Sequence, residues 1–191
     1  LTGDLTLIGL GLSDRHGRRG WVERFLDYAT ANQTQRGPDV LSIHRYVGGG
    51  HGRNPECESA LDFSDDAYHA LLSLTSLYQH DIDLHRRYIA EHTSPQWPVT
   101  IAYDEWGVWH PEATEGTGTH QPQPWRDGMF AACLLHTFYR NADVLAYAMA
   151  TQLSNLLQSL YETDGPRFFM TPTHYVFKLF RDHLGQHVVP F

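Results

Sequence analysis

Four short apolar runs punctuate the chain, at 5–10, 40–43, 99–103 and 144–149. Each is almost continuously hydrophobic. That is the pattern of strands buried on both faces, as in a parallel sheet, and not the alternation of a half-solvated one. The fourth run is rich in Ala and Met, which are weaker strand formers. Between the runs the apolar period changes to the i, i+3, i+4 rhythm of amphipathic helices. Residues 21–31 put Trp21, Phe25 and Tyr28 on one face. Residues 66–92 read as one long helix through Tyr68, Leu71, Leu72, Thr75, Tyr78, Ile82 and Ile89. Ser64 is its N-cap, and Asp65 and Asp66 suit the positive end of its dipole. Residues 126–140 repeat the rhythm with Phe130, Cys133, Leu134, Thr137 and Phe138, and 173–184 turn Tyr175, Val176, Leu179 and Phe180 inward.

The order β-α-β-α-β-α-β-α predicts an α/β fold with a parallel sheet and right-handed crossovers. The connections are unequal. Long glycine-bearing segments, 47–63 and 107–124, follow the second and third strands, whereas the returns at 94–98 and 141–143 are short. Elaborate loops after strands and plain ones before them are the habit of a (β/α)8 TIM barrel, whose active site lies at the strands' C-terminal ends. A whole barrel needs eight units and roughly 250 residues. Four units in 191 residues predict a partial barrel, one piece spanning 1–191. The opening, strand-like and without Met or a signal-peptide pattern, marks the chain as an expected fragment.

Composition narrows the partners. At 41% hydrophobic the chain can build a packed core. A net charge of −8 with scattered Lys and Arg repels phosphate backbones, so nucleic acid is not an expected partner. No apolar run is long enough to span a bilayer, so no membrane partner is expected either. A cytoplasmic location is the expectation, with secretion left open. Cys57 and Cys133 fall in a loop and a helix, which suggests no disulfide framework. The thirteen His do not stand at metal-ligand spacing with Glu or Cys, so neither metal nor cofactor is expected.

Three segments carry candidate chemistry. Tyr103-Asp104-Glu105-Trp106-Gly107-Val108-Trp109 ends an apolar strand with two carboxylates, a glycine and two indoles. A carboxylate there points into a barrel mouth, and flat indoles are surfaces on which sugar rings stack. Glycoside hydrolysis needs carboxylates to meet an oxocarbenium ion and to protonate a leaving oxygen. Taken alone, an Asp-Glu pair reads equally as a structural cap or ion pair. Ser42-Ile43-His44-Arg45-Tyr46 ends the preceding strand, with His44 and Tyr46 on one face and aimed towards a neighbouring carboxylate. A Tyr hydroxyl donating to Glu105 would hold it ionised. Backbone groups satisfying a buried His and Tyr are the plainer reading. After the fourth strand, Gln152 is a candidate for holding sugar hydroxyls, and Asn155 reads as a cap for the next helix.

Taken in order, Asp104-Glu105-Trp106-x-Val108-Trp109, Arg126-Asp127, Phe138-x-Arg140-x-Ala142-Asp143-Val144, Met149-Ala150-x-x-Gln152-Leu153-x-Asn155, Thr163-Asp164-Gly165 and Thr171-Pro172-Thr173 resemble the family 51 glycoside hydrolases. Most of these are retaining α-L-arabinofuranosidases. The resemblance runs from about residue 5 to 184 and is densest after Tyr103. It implies that the four strands are the fifth to eighth of the barrel. It implies that Glu105 is the catalytic nucleophile, and that His44 and Tyr46 stand beside the catalytic carboxylates. Trp109 would be an aromatic wall of the sugar site, and Gln152 a sugar-binding amide. The implied partners are an arabinofuranosyl-containing saccharide and the N-terminal half of the same barrel, with homo-oligomers a further expectation. The family's acid/base, a Glu directly after an Asn, has no counterpart, since the chain contains no Asn-Glu dipeptide. Arg45 stands where an aromatic is usual and Gly107 where Asn is frequent, which bears on the substrate more than on the reaction. The alternatives are a β-glycanase, endoglucanase or xylanase, on the same fold, and a non-catalytic carbohydrate-binding half-barrel.

Overall fold

Parallel strands cannot be joined by a tight turn, so each must be followed by a crossover that returns to the same edge. The computed structural model, which describes residues 5–11, 20–32, 37–150 and 152–183, meets that requirement with helices. Strands β1 (Ile8–Leu10), β2 (Val40–Val47), β3 (Thr100–Val108) and β4 (Leu145–Ala148) pair in sequence order, all parallel. Helix α1 (Trp21–Ala31) follows β1, α2 (Asp65–Ser73) and α3 (Ser76–His92) follow β2, and α4 (Trp125–Arg140) follows β3. Helix α5 (Pro172–Phe180) follows β4. This is half of a (β/α)8 barrel.

The main core lies between the sheet and α2–α5, around Ile43, Val47, Tyr78, Tyr103, Trp106, Phe130 and Phe138. A smaller cluster, Val22, Leu26, Leu41 and Val99, seats α1. Burial on both faces holds for β2 and β3 and fails at the edges. Leu7, Ile8 and Leu10 near β1 and Tyr147 in β4 are exposed, because an end strand of a half-barrel has one neighbour.

Four helix and strand expectations change. The segment 66–92 is two helices. At its break, Ser73, Thr75 and Ser76 donate their hydroxyls to Ala70, Leu72 and Ser73 carbonyls at 2.7, 2.8 and 2.9 Å. Hydroxyls that compete for ladder carbonyls bend a helix, and the backbone tightens there to i→i−3 bonds such as Leu77 to Leu74 at 3.1 Å. The seating face of α1 is Val22 and Leu26, and Tyr28 is 70% exposed. In α5 the buried residues are Thr173 and Val176, whereas Leu179 is 73% exposed. The helix is capped by Thr171, whose hydroxyl accepts from His174 N at 3.3 Å, and Leu184 lies outside the described residues. Asn155 caps no helix. Its φ is +58°, and its amide pairs both ways with Thr163 at 2.7 Å, tying down a hairpin of β5 (Tyr161–Asp164) and β6 (Arg167–Met170) that turns at Gly165.

Behind β2 and β3 lies a buried polar knot. Arg45 points away from the strands' open face into the helix layer, where its guanidinium donates twice to Asp81 of α3 at 2.5 Å. Tyr103 donates to the same carboxylate at 2.8 Å, and Tyr78 donates to Arg45 O at 2.8 Å. Arg45 therefore does not bear on substrate choice. Burial lowers its pKa, and the Asp81 hydrogen bond and charge more than reverse that, for a net rise. Removing one partner of such a pair leaves an uncompensated buried charge. Asp81→Ala is expected to lower stability by about 3–5 kcal/mol in urea denaturation. The double change Arg45→Met, Asp81→Leu should recover most of that loss, and a single change costing nothing would refute the knot's structural role.

Candidate active site

In a regular strand, Asp104 and Glu105 would face opposite ways. Here they do not. Ile43 pairs with Tyr103 and the next residue, His44, pairs with Glu105, so Asp104 is an extra residue in β3. This is a β-bulge, a device that re-aims side chains. Tyr103 and Trp106 both enter the core, and the two carboxylates between them share the open face. On that face β2 presents Ser42, His44 and Tyr46. The Ser42 hydroxyl donates to Asp104, and His44 Nδ1 lies 3.8 Å from the other Asp104 oxygen. Tyr46 stands against Glu105. Its phenol pKa is raised, first by burial, then by the Glu105 charge and hydrogen bond, then by Asp104.

The wall continues outward. Trp109 meets the Tyr46 ring edge-on at 5.8 Å and the His51 ring at 4.9 Å, and the Arg53 guanidinium lies 4.9 Å over the indole. The indole N–H donates to Ala113 O at 3.0 Å, fixing its plane. Glutamines hold the end of β3. Gln158 accepts from Val108 N at 2.9 Å and donates to Asp127 O at 2.7 Å. Gln121 accepts from His110 N at 2.8 Å. Gly107 has φ +149°, and a Cβ there would meet Gln158 Oε1 at 2.9 Å. Only glycine suits that close approach. His110 and Asp127, fully buried, pair at 2.9 Å below these residues.

Both long loops are pinned. Arg126 donates to Cys57 O and Ser59 O at 3.0 Å and stacks 3.8 Å over Phe63. Glu112 accepts from Ser59 Oγ and from Ala60 N at 3.1 Å. Burial would raise the Glu112 pKa, and these donors bring it below the usual carboxylate range.

The structure thus brings His44, Tyr46, Glu105 and Trp109 together. Gln152 lies in the loop after β4 and contacts none of them through a hydrogen bond among the described residues. Sequence reasoning missed Asp104's shared face and Ser42's part. Period 2 from His44 reaches Ser42, but no residue type announces the bulge. Among the described residues, no group of three or more His, Cys, Asp or Glu is arranged to hold a metal ion.

Two carboxylates, a tyrosine and an indole thus stand together at the C-terminal ends of adjacent parallel strands of this barrel half. The chain is similar to the C-terminal region of α-L-arabinofuranosidases. The family model described as the α-L-arabinofuranosidase C-terminal domain matches residues 104–191. An intracellular exo-α-L-arabinofuranosidase of Bacteroides ovatus is 29% identical over 80% of the chain and 29% of its own length. The family 51 arabinofuranosidase of Xanthomonas axonopodis pv. citri superposes with a TM-score of 0.78 at 28% identity, over 95% of this chain and 35% of that one. The Thermotoga maritima α-L-arabinofuranosidase, solved as an arabinose complex, gives 0.75 at 25% identity, over 95% and 32%. The chain spans about a third of the length of these relatives.

The tyrosines give a pH test. Burial is the first cause of raised pKa values at Tyr46, Tyr78 and Tyr103. A raised folded pKa means stability fully present below the unfolded value of about 10 and lost as pH rises through the folded values. In an alkaline titration followed by phenolate absorbance and circular dichroism, exposed tyrosines should ionise first and reversibly. These three should ionise only as tertiary structure is lost, and Tyr46→Phe should remove one from the late group. Ionisation of all tyrosines together in an intact fold would overturn this.

Proposed function

We propose that the chain is the C-terminal half of the catalytic barrel of a retaining exo-glycosidase that releases α-L-arabinofuranosyl residues from poly- or oligosaccharides. The observation that carries the reading is the bulge that turns Glu105 onto the open face against Tyr46. Glu105 attacks the anomeric carbon while the glycosidic bond breaks, giving a glycosyl-enzyme that water then hydrolyses. Asp104 accepts from the Ser42 hydroxyl and has His44 3.8 Å away, so Glu105 is the carboxylate left to meet substrate. His44 and Tyr46 line the sugar subsite, Trp109 forms its outer wall, and Gln152 contributes an amide from the loop after β4.

The general acid/base comes from outside this chain, on four further βα units. The surfaces they would cover are apolar. β1 is an open edge with exposed Ile8 and Leu10. At the other end a cavity of about 1360 Å³ lies between α4, β4 and α5, away from Glu105, lined by residues such as Phe138, Leu145 and Phe177. Left uncovered, these surfaces favour self-association. The proposed location is cytoplasmic. Among the described residues no helix is long and apolar enough to cross a membrane, and the Bacteroides relative is named intracellular.

In the full-length protein, Glu105→Gln should reduce turnover of nitrophenyl arabinofuranoside to background with the fold intact, since it removes the attacking charge at little change in volume. A mechanism-based arabinofuranosyl trap should label Glu105, and labelling of Asp104 would refute the assignment. Residues 1–191 alone should be essentially inactive, because a general acid contributes about 10² to 10⁴-fold. Normal turnover by the isolated chain would place an acid/base within it. Preference for soluble cellulose or xylan over the arabinofuranoside would favour a β-glycanase.

A further inference from the structure

The wall that starts at Glu105 ends in positive charge. Tyr46 touches Glu105 on one side and Trp109 on the other, and Arg53 lies over the Trp109 ring. His51 stands edge-on to the same indole. Both basic side chains come from the loop after β2, and both are exposed. The loop is held firmly under them. Gly50 N donates to Trp109 O at 2.8 Å, Arg53 N to Gly50 O at 3.2 Å, and Asn54 Oδ1 accepts from Gly48 N at 3.3 Å. His51 is kept at φ +53°, the left-handed region where glycine is the usual residue. An imidazole is thereby displayed at the rim.

Arg53 spends little of its donor capacity. Of five guanidinium N–H donors, one is used on Gly50 O, at 3.4 Å. Two carboxylates of the long loops have other partners. Glu58 accepts from Ser64 N at 2.8 Å, and Glu112 accepts from Ser59 and Ala60. Among the described residues no carboxylate forms an ion pair with Arg53. The chain as a whole carries −8, so its long-range field repels anions. A cation fixed on an aromatic plane at the site mouth is the local feature able to reverse that repulsion. A guanidinium matches a carboxylate's planar geometry.

Resting on the arabinofuranosidase reading, we propose that Arg53, assisted by His51, forms a subsite beyond the scissile bond for the carboxylate of a uronosyl unit. The preferred substrate class is then an acidic, uronate-bearing saccharide substituted with arabinofuranose. The cation lies outward of Tyr46 and Trp109, so it reads the aglycone and not the arabinofuranosyl ring.

The test uses the full-length protein and arabinofuranosyl-xylo-oligosaccharides with and without a glucuronosyl branch. The wild type should show a higher kcat/KM on the acidic substrate. That ratio should shrink as salt screens the contact. Arg53→Gln should lower the acidic-to-neutral ratio by about tenfold, the scale of one charge-assisted hydrogen bond, and Arg53→Lys should restore part of it. Equal rates on both substrates in the wild type, or an undiminished preference in Arg53→Gln, would overturn the subsite and leave the arabinofuranosidase reading standing. Failure to hydrolyse even nitrophenyl arabinofuranoside would remove that reading, and the subsite with it.

Discussion

Between Tyr103 and Trp106, strand β3 carries one residue more than β2 opposite it. The site hangs on that extra residue, and the extra residue hangs on what grips the strand from behind. Tyr103 is bound through its hydroxyl to Asp81, which also takes both arms of Arg45 from the neighbouring strand. Trp106 is stacked against Phe177 at 6.0 Å and meets Phe138 edge-on at 5.5 Å. Both aromatics are almost completely buried. A large aromatic contributes burial and ring-pair energy together, so neither leaves the core cheaply. With two anchors on one face and two residues between them, the intervening pair must occupy the other face. Packing behind the sheet thus determines that two consecutive carboxylates face the same way.

The same logic explains what could be read from the sequence and what could not. Strand and helix order follow from periodicity, because burial of a face is a local pattern. So do Ser64 as a cap and the placing of His44 and Tyr46 on one face, since side-chain alternation is built into an extended chain. The bulge is not local. It is decided by Asp81, about twenty residues upstream and on another element, and a single carboxylate in a helix gives no sign that it will hold Arg45 and Tyr103. Arg45 misled for the same reason. Position beside His44 suggests the site, but alternation sends it to the helix layer. The break of the long helix at Ser73–Ser76 was visible in principle, as three hydroxyl residues in four. Hydrophobic spacing continued across it and hid the competition for carbonyls. In α1 and α5 the error was rotational. Aromatic residues dominate the periodic pattern, yet Val22, Leu26 and Val176 fill the narrow space available.

Loops that carry functional groups must be irregular, yet must not be loose. Here irregular backbone is secured by buried polar side chains. Arg126, from the first turn of α4, spends its guanidinium on two carbonyls of the loop after β2. Its pKa is lowered by burial, with Asp127 pulling the other way. Gln158 reaches from after β4 to the β3 backbone, to Asp127 O and to Thr173 of α5, joining three elements through one amide. The His110–Asp127 pair closes the same layer without solvent contact. None of these groups touches the open face. They determine where Trp109 and Gly107 lie, and so the shape of the wall beside Tyr46.

Adjacent carboxylates on one face repel, and a site that uses one of them must give the two different surroundings. Strand β2 does this by alternation alone. Ser42 and His44 address Asp104, while Tyr46, one step further along, addresses Glu105. The register shifts between Ile43 and His44, which brings both acids onto the face that carries Ser42, His44 and Tyr46. Without the extra residue, Glu105 would point into the core or Asp104 would, and either would be a buried carboxylate in the place of an aromatic. The physical requirement that no such charge be buried unpaired therefore works with the core packing. Both select the arrangement in which Asp104 takes the Ser42 hydroxyl and Glu105 stands against the Tyr46 phenol.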